Sequence, residues 1–262
     1  MLEARTLPGK LLLQLLITVL ALPFLFPLVA MVQGSLAGQG WGNYLAVLAL
    51  PELPLFFRNS VIICVLTIAI VWAATMLAAF GFSKLQIRGK EFFFWMLLAA
   101  LTLPEVVLIT PLFVTATSTN LYNTYWAVVL PLAALQIPFT VLITRTFVNG
   151  IPDALVEAAR IDGSTTMQAF WHVILPLTRP IAAAVVVLTL ISTWNSYLLP
   201  LIFLQDADFQ VVTQVPSFFQ GQFTDDQTKV LASAVITALP EVVAYLCLQK
   251  LFERGLSAGA LK

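Results

Sequence analysis

Glu157-Ala158-Ala159-Arg160-Ile161-Asp162-Gly163, with Val173-Ile174-Leu175-Pro176 ten residues further on, is a polar, helix-forming stretch in an otherwise membrane-like chain. Hydrophobic residues make up 60% of the 262 and charged ones 10%, at a mean hydropathy of +0.95. A soluble domain usually carries about a quarter charged residues, so the solvent of this chain is a bilayer. Apolar runs of the ~20 residues needed to cross it occur at roughly 11–33, 60–82, 92–114, 125–146, 181–203 and 230–250. A bilayer offers no water to unpaired backbone groups, and these runs are continuous rather than alternating segments of barrel length. The expected fold is all-α: six transmembrane helices in one domain, 1–262, with an inner loop at 147–180 between spans four and five.

The distribution of charge sets the orientation. With a cytoplasmic N-terminus, Arg5, Lys10, Lys84, Arg88, Lys90, Arg145, Arg160, Arg179, Lys250, Arg254 and Lys262 lie inside, and only Arg58 and Lys229 outside. That split satisfies the positive-inside rule and puts both termini in the cytoplasm. The outer segment 204–229 carries Asp206, Asp208, Asp225 and Asp226. A formal net charge of zero gives no electrostatic case for nucleic acid. Cys64 and Cys247 fall within spans, where a thiol acts as a small apolar group, and neither a disulfide framework nor a metal site is implied. The first apolar run exceeds a signal-peptide core and lacks an A-x-A-like end, so it reads as a retained helix.

Gly34 to Gly42, continuing through Pro51 and Pro54, reads as an outer loop after the first helix. Pro23, Pro27, Pro104, Pro111, Pro131, Pro138, Pro200 and Pro240 lie within or at the ends of spans, where an interior proline frees a carbonyl and favours a kink. Trp41, Tyr44, Trp126 and Tyr197 fit an aromatic belt at headgroup depth.

Within 147–180, Pro152 suits a first helical turn and Asp153 and Glu157 suit the positive end of its dipole. Gly163 suits the left-handed position that ends a helix, which gives a helix of about three turns over 152–162. Thr165 and Gln168 have capping-box spacing and start a second helix through Phe170, Trp171, Val173 and Ile174 towards Pro176. A helix, a glycine turn and a returning helix can project a rigid element beyond the bilayer. The alternative is an amphipathic helix lying on the membrane surface.

Glu-Ala-Ala, three residues, Gly, nine residues, Val, one residue and Leu-Pro resembles the cytoplasmic docking loop of the membrane subunits of binding-protein-dependent ABC importers, with Val173 in place of the usual Ile. Trp194-Asn195-Ser196-Tyr197-Leu198-Leu199-Pro200-Leu201 and the ending Phe252-Glu253-Arg254-Gly255-Leu256-Ser257-Ala258-Gly259-Ala260-Leu261-Lys262 resemble elements of the carbohydrate branch, the maltose-permease type; Ser257 stands for Thr. The resemblance implies a type I importer permease fold and makes 152–162 the coupling helix. Glu157, Ala158, Ala159, Arg160, Asp162 and Gly163 would then sit in a cleft of an ATPase subunit. It also implies a second homologous permease, two ATPase subunits holding ATP and Mg, an extracytoplasmic sugar-binding protein, and residence in a bacterial or archaeal inner membrane. The chain has no Gly-x-x-x-x-Gly-Lys-Ser/Thr loop, no His-Glu-x-x-His site and no nucleophile-base pair, so it is expected to bind no cofactor and to catalyse nothing itself.

Intramembrane carboxylates are functional candidates by default. Glu105 and Glu241 each sit in a Leu-Pro-Glu-Val-Val pentapeptide, at 103–107 and 239–243. They line a substrate pathway, pair with polar groups of a neighbouring helix, or lie near an outer vestibule. Asn195 and Tyr197 combine an amide with an aromatic face, a pairing suited to sugar rings, and His172 reads as an interfacial residue. Few basic groups lie on the outer side, which favours a neutral sugar over a phosphorylated one. The competing readings are an ion-coupled secondary carrier working through Glu105 and Glu241, and a membrane anchor that conducts nothing.

Overall fold

The computed structural model describes residues 7–221 and 226–260, with side chains for 9–221 and 226–249. Arg5, Asp225 and Lys262 lie outside the described residues, and the tail after Gln249 is described as backbone only, up to Ala260. Every described span is helical, as the lack of backbone partners in lipid requires. In chain order the helices are α1 (Leu7–Ser35), α2 (Trp41–Leu48), α3 (Leu53–Lys84), α4 (Lys90–Ala99), α5 (Glu105–Ser118), α6 (Tyr125–Asn149), α7 (Asp153–Ile161), α8 (Thr166–Ala169), α9 (Leu175–Leu177), α10 (Arg179–Trp194), α11 (Leu198–Phe203) and α12 (Gln227–Ala260). Four of them are long and apolar enough to cross a membrane unaided, at Gly9–Ser35, Leu53–Lys84, Tyr125–Asn149 and Gln227–Gln249; counting each of two sharply bent pairs as one span brings the number to six.

Two apolar runs that read as continuous spans are broken. In the third, Lys90–Thr102 meets Glu105–Ser118 at 102°. Leu103 is extended (φ −85°, ψ 116°) and Pro104 occupies the N-cap of α5, because a residue before proline is driven out of the helical region. Glu105 thereby becomes the first residue of α5, at the positive end of that helix dipole. In the fifth, α10 ends at Trp194 and α11 begins at Leu198. By contrast Pro23, Pro27, Pro111, Pro131, Pro138 and Pro240 stay inside unbroken helices.

Two predicted loops are partly ordered. Short α2 occupies the loop expected after the first helix, and 3-10 turns at Ala207–Phe209 and Val212–Phe219 order the segment after α11. The latter holds the buried side chains Val211, Val212, Gln214 and Val215, which an acidic loop would not need.

The chain divides into two compact units. One comprises the residues up to Leu53 with Val215–Ala238. In it Asn43 donates to the carbonyls of Ser35 and Ala37, and Ser35 Oγ lies 2.6 Å from the Tyr44 hydroxyl, so α2 is tied back onto the end of α1. Asp226 starts α12: one carboxylate oxygen accepts from the Thr228 hydroxyl and the Lys229 amide, and the other lies 2.8 Å from Lys229 Nζ.

The second unit, Pro54–Gln214 with the residues from Leu239 on, carries two apolar cores. Val71, Met76, Ala79 and Phe80 of α3, Val148 of α6, Val156 of α7, Phe170, Ile174 and Val185 of α10 form one. Ile63 of α3, Ala127, Val128 and Val129 of α6, Leu199 and Phe203 of α11, Leu204 and Val211 form the other. Helices α3 and α6 contribute to both, so they form the spine of this unit. The first core holds the 153–185 region and the second holds the 198–211 region.

Candidate docking site

Helix α7 begins one residue later than its sequence predicts. Pro152 is its N-cap (φ −58°, ψ 133°) rather than part of its first turn, and Asp153 opens the helix. At the other end Gly163 adopts φ +84°. Its N–H donates to Arg160 O (3.0 Å) and the Ser164 N–H donates to Ala159 O (2.9 Å). These two bonds form a Schellman motif, which satisfies the terminal carbonyls that would otherwise lack partners. The chain restarts at once. The Thr165 hydroxyl accepts from the Gln168 amide and Gln168 Oε1 accepts from the Thr165 amide, a complete capping box.

The returning helix is not uniform. Phe170–Ile174 form a π-helical turn between α8 and α9, and Thr166–Leu177 meets α10 at 77°. Phe170 turns inward against Phe80 of α3, ring centroids 5.3 Å apart. The His172 ring nitrogen Nδ1 lies 3.0 Å from Gln168 O, on an exposed face.

Positions three apart on a helix share a face, and in α7 the buried pair is Val156 and Ala159. Ala159 is thus covered within the chain, unlike the other residues of the expected docking set. Glu157, Ala158, Arg160, Asp162 and Gly163 remain exposed. With them stands Ile161, 87% exposed and flanked by Arg160 and Asp162, together with exposed Leu155 and Met167.

The base of α7 is fixed by a buried cation. Lys84, at the end of α3, donates to the Ile151 carbonyl and to Asp153 Oδ1 (2.6 Å). Its side chain is 3% exposed and that of Asp153 75%. The hydrogen bond and positive charge of Lys84 hold the Asp153 carboxyl below the usual carboxylate range. Nearby, Arg145 of α6 pairs with Glu91 of α4 and stacks over the Phe94 ring at 3.9 Å. Ser83 donates to the Arg145 carbonyl.

The four pathway candidates are only partly brought together. Asn195 Nδ2 donates to Glu241 Oε1 (2.7 Å) and to Ile191 O (2.9 Å), at the gap between α10 and α11. Tyr197 lies two residues on, 45% exposed. The gap is held open by side chains: Thr213 donates to Ser196 O, and Gln136 of α6 donates to Thr193 Oγ. Glu105 bonds to none of these among the described residues. No group of three or more His, Cys, Asp or Glu suited to a metal ion occurs among the described residues.

Comparison with known proteins gives this geometry a context. Residues 66–258 match the family described as "Binding-protein-dependent transport system inner membrane component". A Bacillus subtilis (strain 168) protein described as "Probable ABC transporter permease protein YurM" is 36% identical over 207 residues, 79% of this chain and 69% of that one. The arabinooligosaccharides transport system permease protein AraQ of Halalkalibacterium halodurans is 31% identical over 79% of this chain and 74% of its own. The sn-glycerol-3-phosphate transport system permease protein UgpE of Salmonella typhi is 32% identical over 82% and 76%. Among solved structures, a chain of a bacterial ABC transporter that imports the acidic polysaccharide alginate superposes with a TM-score of 0.78 at 20% identity, over 93% of this chain and 96% of that one, and so shares the fold. With a match that spans most of its length, the chain belongs to the family of inner membrane components of binding-protein-dependent transport systems, the all-helical permease subunits of ABC transporters.

Proposed function

We propose that this chain is one of two permease subunits of an ATP-driven importer. The complex passes a neutral sugar or oligosaccharide from an extracytoplasmic binding protein into a bacterial or archaeal cytoplasm. Two ATPase subunits hold ATP and Mg, residues 1–262 act as one transmembrane domain, and both termini lie inside. Helix α7 is the element that enters an ATPase subunit, through Glu157, Ala158, Arg160, Asp162 and the Gly163 turn. The observation that carries the reading is Ile161. An apolar side chain 87% exposed on a helix stopped by a Schellman turn, between two charged residues, has the makeup of an interface anchor with a polar rim.

The sugar assignment draws on the names of relatives, including permeases for arabinooligosaccharides and for lactose, and on the Trp194–Leu201 element for the maltose-permease type. A relative named for sn-glycerol-3-phosphate is similarly close. The preference for a neutral substrate rests on the few outer basic residues and on the carboxylate of Glu241, which would repel an anion. Asn195, Tyr197 and Glu241 form the pathway set: the Asn195–Glu241 bond leaves the second carboxylate oxygen without a bonded partner among the described residues, available to sugar hydroxyls. Glu105, at a helix start apart from them, joins that set only if the third span lines the same cavity.

The deciding experiment is purification of this chain with its partners. ATP hydrolysis stimulated by sugar-loaded binding protein is the expected result. Uptake driven by an ion gradient in the absence of ATP would overturn the reading in favour of a secondary carrier.

A further inference from the structure

The site residues assigned above are all on the exposed side of α7, yet a docked helix does mechanical work only if its other side grips the membrane helices. Between α6 and α7 the chain is non-helical at Gly150, Ile151 and Pro152. The Gly150 and Ile151 amides bond back to Phe147 O and Val148 O of α6, which leaves the Ile151 carbonyl to be bound from outside the link. Across this link lies Lys84, the last residue of the 32-residue α3. Its buried ammonium bonds the Ile151 carbonyl inside the link and the Asp153 carboxylate in the first turn of α7. A buried cation is tolerated only where such bonds replace its hydration.

We infer that Lys84 is the positioning residue that couples α7 to α3, so that a displacement of the docking helix drives α3 directly instead of being lost in the 150–152 link. The inference rests on the docking role of α7 proposed above. Lys84 touches neither nucleotide nor substrate and acts through Ile151 and Asp153. The two bonds are not equivalent. Asp153 is largely exposed, where an ion pair contributes little. The Ile151 carbonyl belongs to the link itself, and its bond to a buried donor is the one that stiffens it. Further contacts confine the same corner: Lys90 donates to Leu85 O, Ser83 to Arg145 O, and Arg145 pairs with Glu91. The inner ends of α3, α4 and α6 are thus already joined, and Lys84 adds a polar tie to α7 beside the packing of Val156 in the core shared with α3 and α6.

The test is made in the assembled, reconstituted complex, with sugar uptake and ATP hydrolysis measured on the same vesicles. Lys84→Met should leave the ATPase subunits bound and lower sugar transported per ATP hydrolysed at least tenfold. Asp153→Asn should keep more than half of it, since the Ile151 bond survives, and Lys84→Arg, which retains a donor, should restore much of what Met loses. An unchanged transport-to-hydrolysis ratio in Lys84→Met overturns the inference, as does an equal loss in Asp153→Asn. If the Met variant does not assemble, amide hydrogen exchange on the purified chain decides: residues 153–161 should exchange at least tenfold faster, with α10 unchanged, and unaltered protection of 153–161 rejects the joint. Failure of the docking reading looks different. In that case the unmodified chain would bring down no ATPase at all, whereas failure of the joint leaves a docked and fully coupled Lys84→Met complex.

Discussion

Gly163→Val isolates one physical cost, because the structure removes its usual competitor. A Cβ built on Gly163 meets no atom within 4 Å, so the first side-chain atom has room and the backbone conformation is the cost that stands out. At φ +84° an L-residue sets its Cβ against its own carbonyl, at about 1–2 kcal/mol, and a β-branched residue is the worst case. The strain falls on the bond from the Ser164 amide to Ala159 O, the outermost bond of the Schellman motif. A penalty of that size multiplies the population of the opened turn about 5- to 30-fold. Hydrogen exchange of the Ser164 amide in the purified chain should therefore accelerate by that factor in the valine variant. Alanine should give a smaller increase and asparagine the least, since asparagine tolerates the left-handed region. ATPase binding should weaken in the same order. Equal exchange for glycine and valine would refute the reasoning. An asparagine variant as damaging as valine would show that tolerance of positive φ does not control the turn.

Reversing the docking charge with Glu157→Lys should abolish ATP-driven uptake without lowering the amount of chain in the membrane; uptake at the unmodified rate would remove Glu157 from the interface. A double-mutant cycle on Asn195→Leu and Glu241→Leu, read by thermal unfolding in detergent, should give a coupling of about 0.6 kcal/mol, the size typical of interhelical hydrogen bonds in membrane proteins. A value near zero would mean that the 2.7 Å bond is not maintained. The first turn of α12 provides a pH test. Bonds from Lys229 and Thr228 lower the Asp226 carboxyl to about 2, so its stabilising effect is complete above the ordinary carboxylate value and is lost as pH falls through about 2. Protection of the Lys229 amide, corrected for intrinsic exchange, should hold from pH 7 to about 4 and decline only below that. Loss of protection between pH 6 and 5 would contradict the assignment of that cap.

The docking loop was legible in the sequence because its instructions are local. Gly163 marks the stop, and Thr165 and Gln168 mark the restart within three residues of each other. The third span carried a readable break as well, since Leu103 precedes Pro104 and must leave the helical region, though six long apolar runs invite the eye to pass over it. The gap at Asn195–Tyr197 has one local signal, Pro200, which cannot donate to the Ser196 carbonyl, but the rest of its support is remote. It depends on Thr213, Gln136 and Glu241, which are distant in sequence. Lys84 escaped notice for the same reason: its partners lie 67 and 69 positions away, and a lysine after an apolar run is what the positive-inside rule leads one to expect. The burial of Ala159 was not legible, because composition says what a helix is made of, while the rotation of the helix about its axis is decided by the core it meets.

At the end of α3 remote from Lys84, Asn59 Nδ2 donates 2.8 Å bonds to the carbonyls of Asp208 and Gln210, and Asn59 Oδ1 accepts from the Tyr125 hydroxyl at 2.7 Å. The Ser60 hydroxyl oxygen also accepts from the Val212 amide. What this anchor recognises is main chain. The side chains at 208 and 210 are therefore free to diversify, while the path of the segment that carries them stays anchored by Asn59 and Ser60. Drift at 208 or 210 should be silent for folding, and drift at 59 should not.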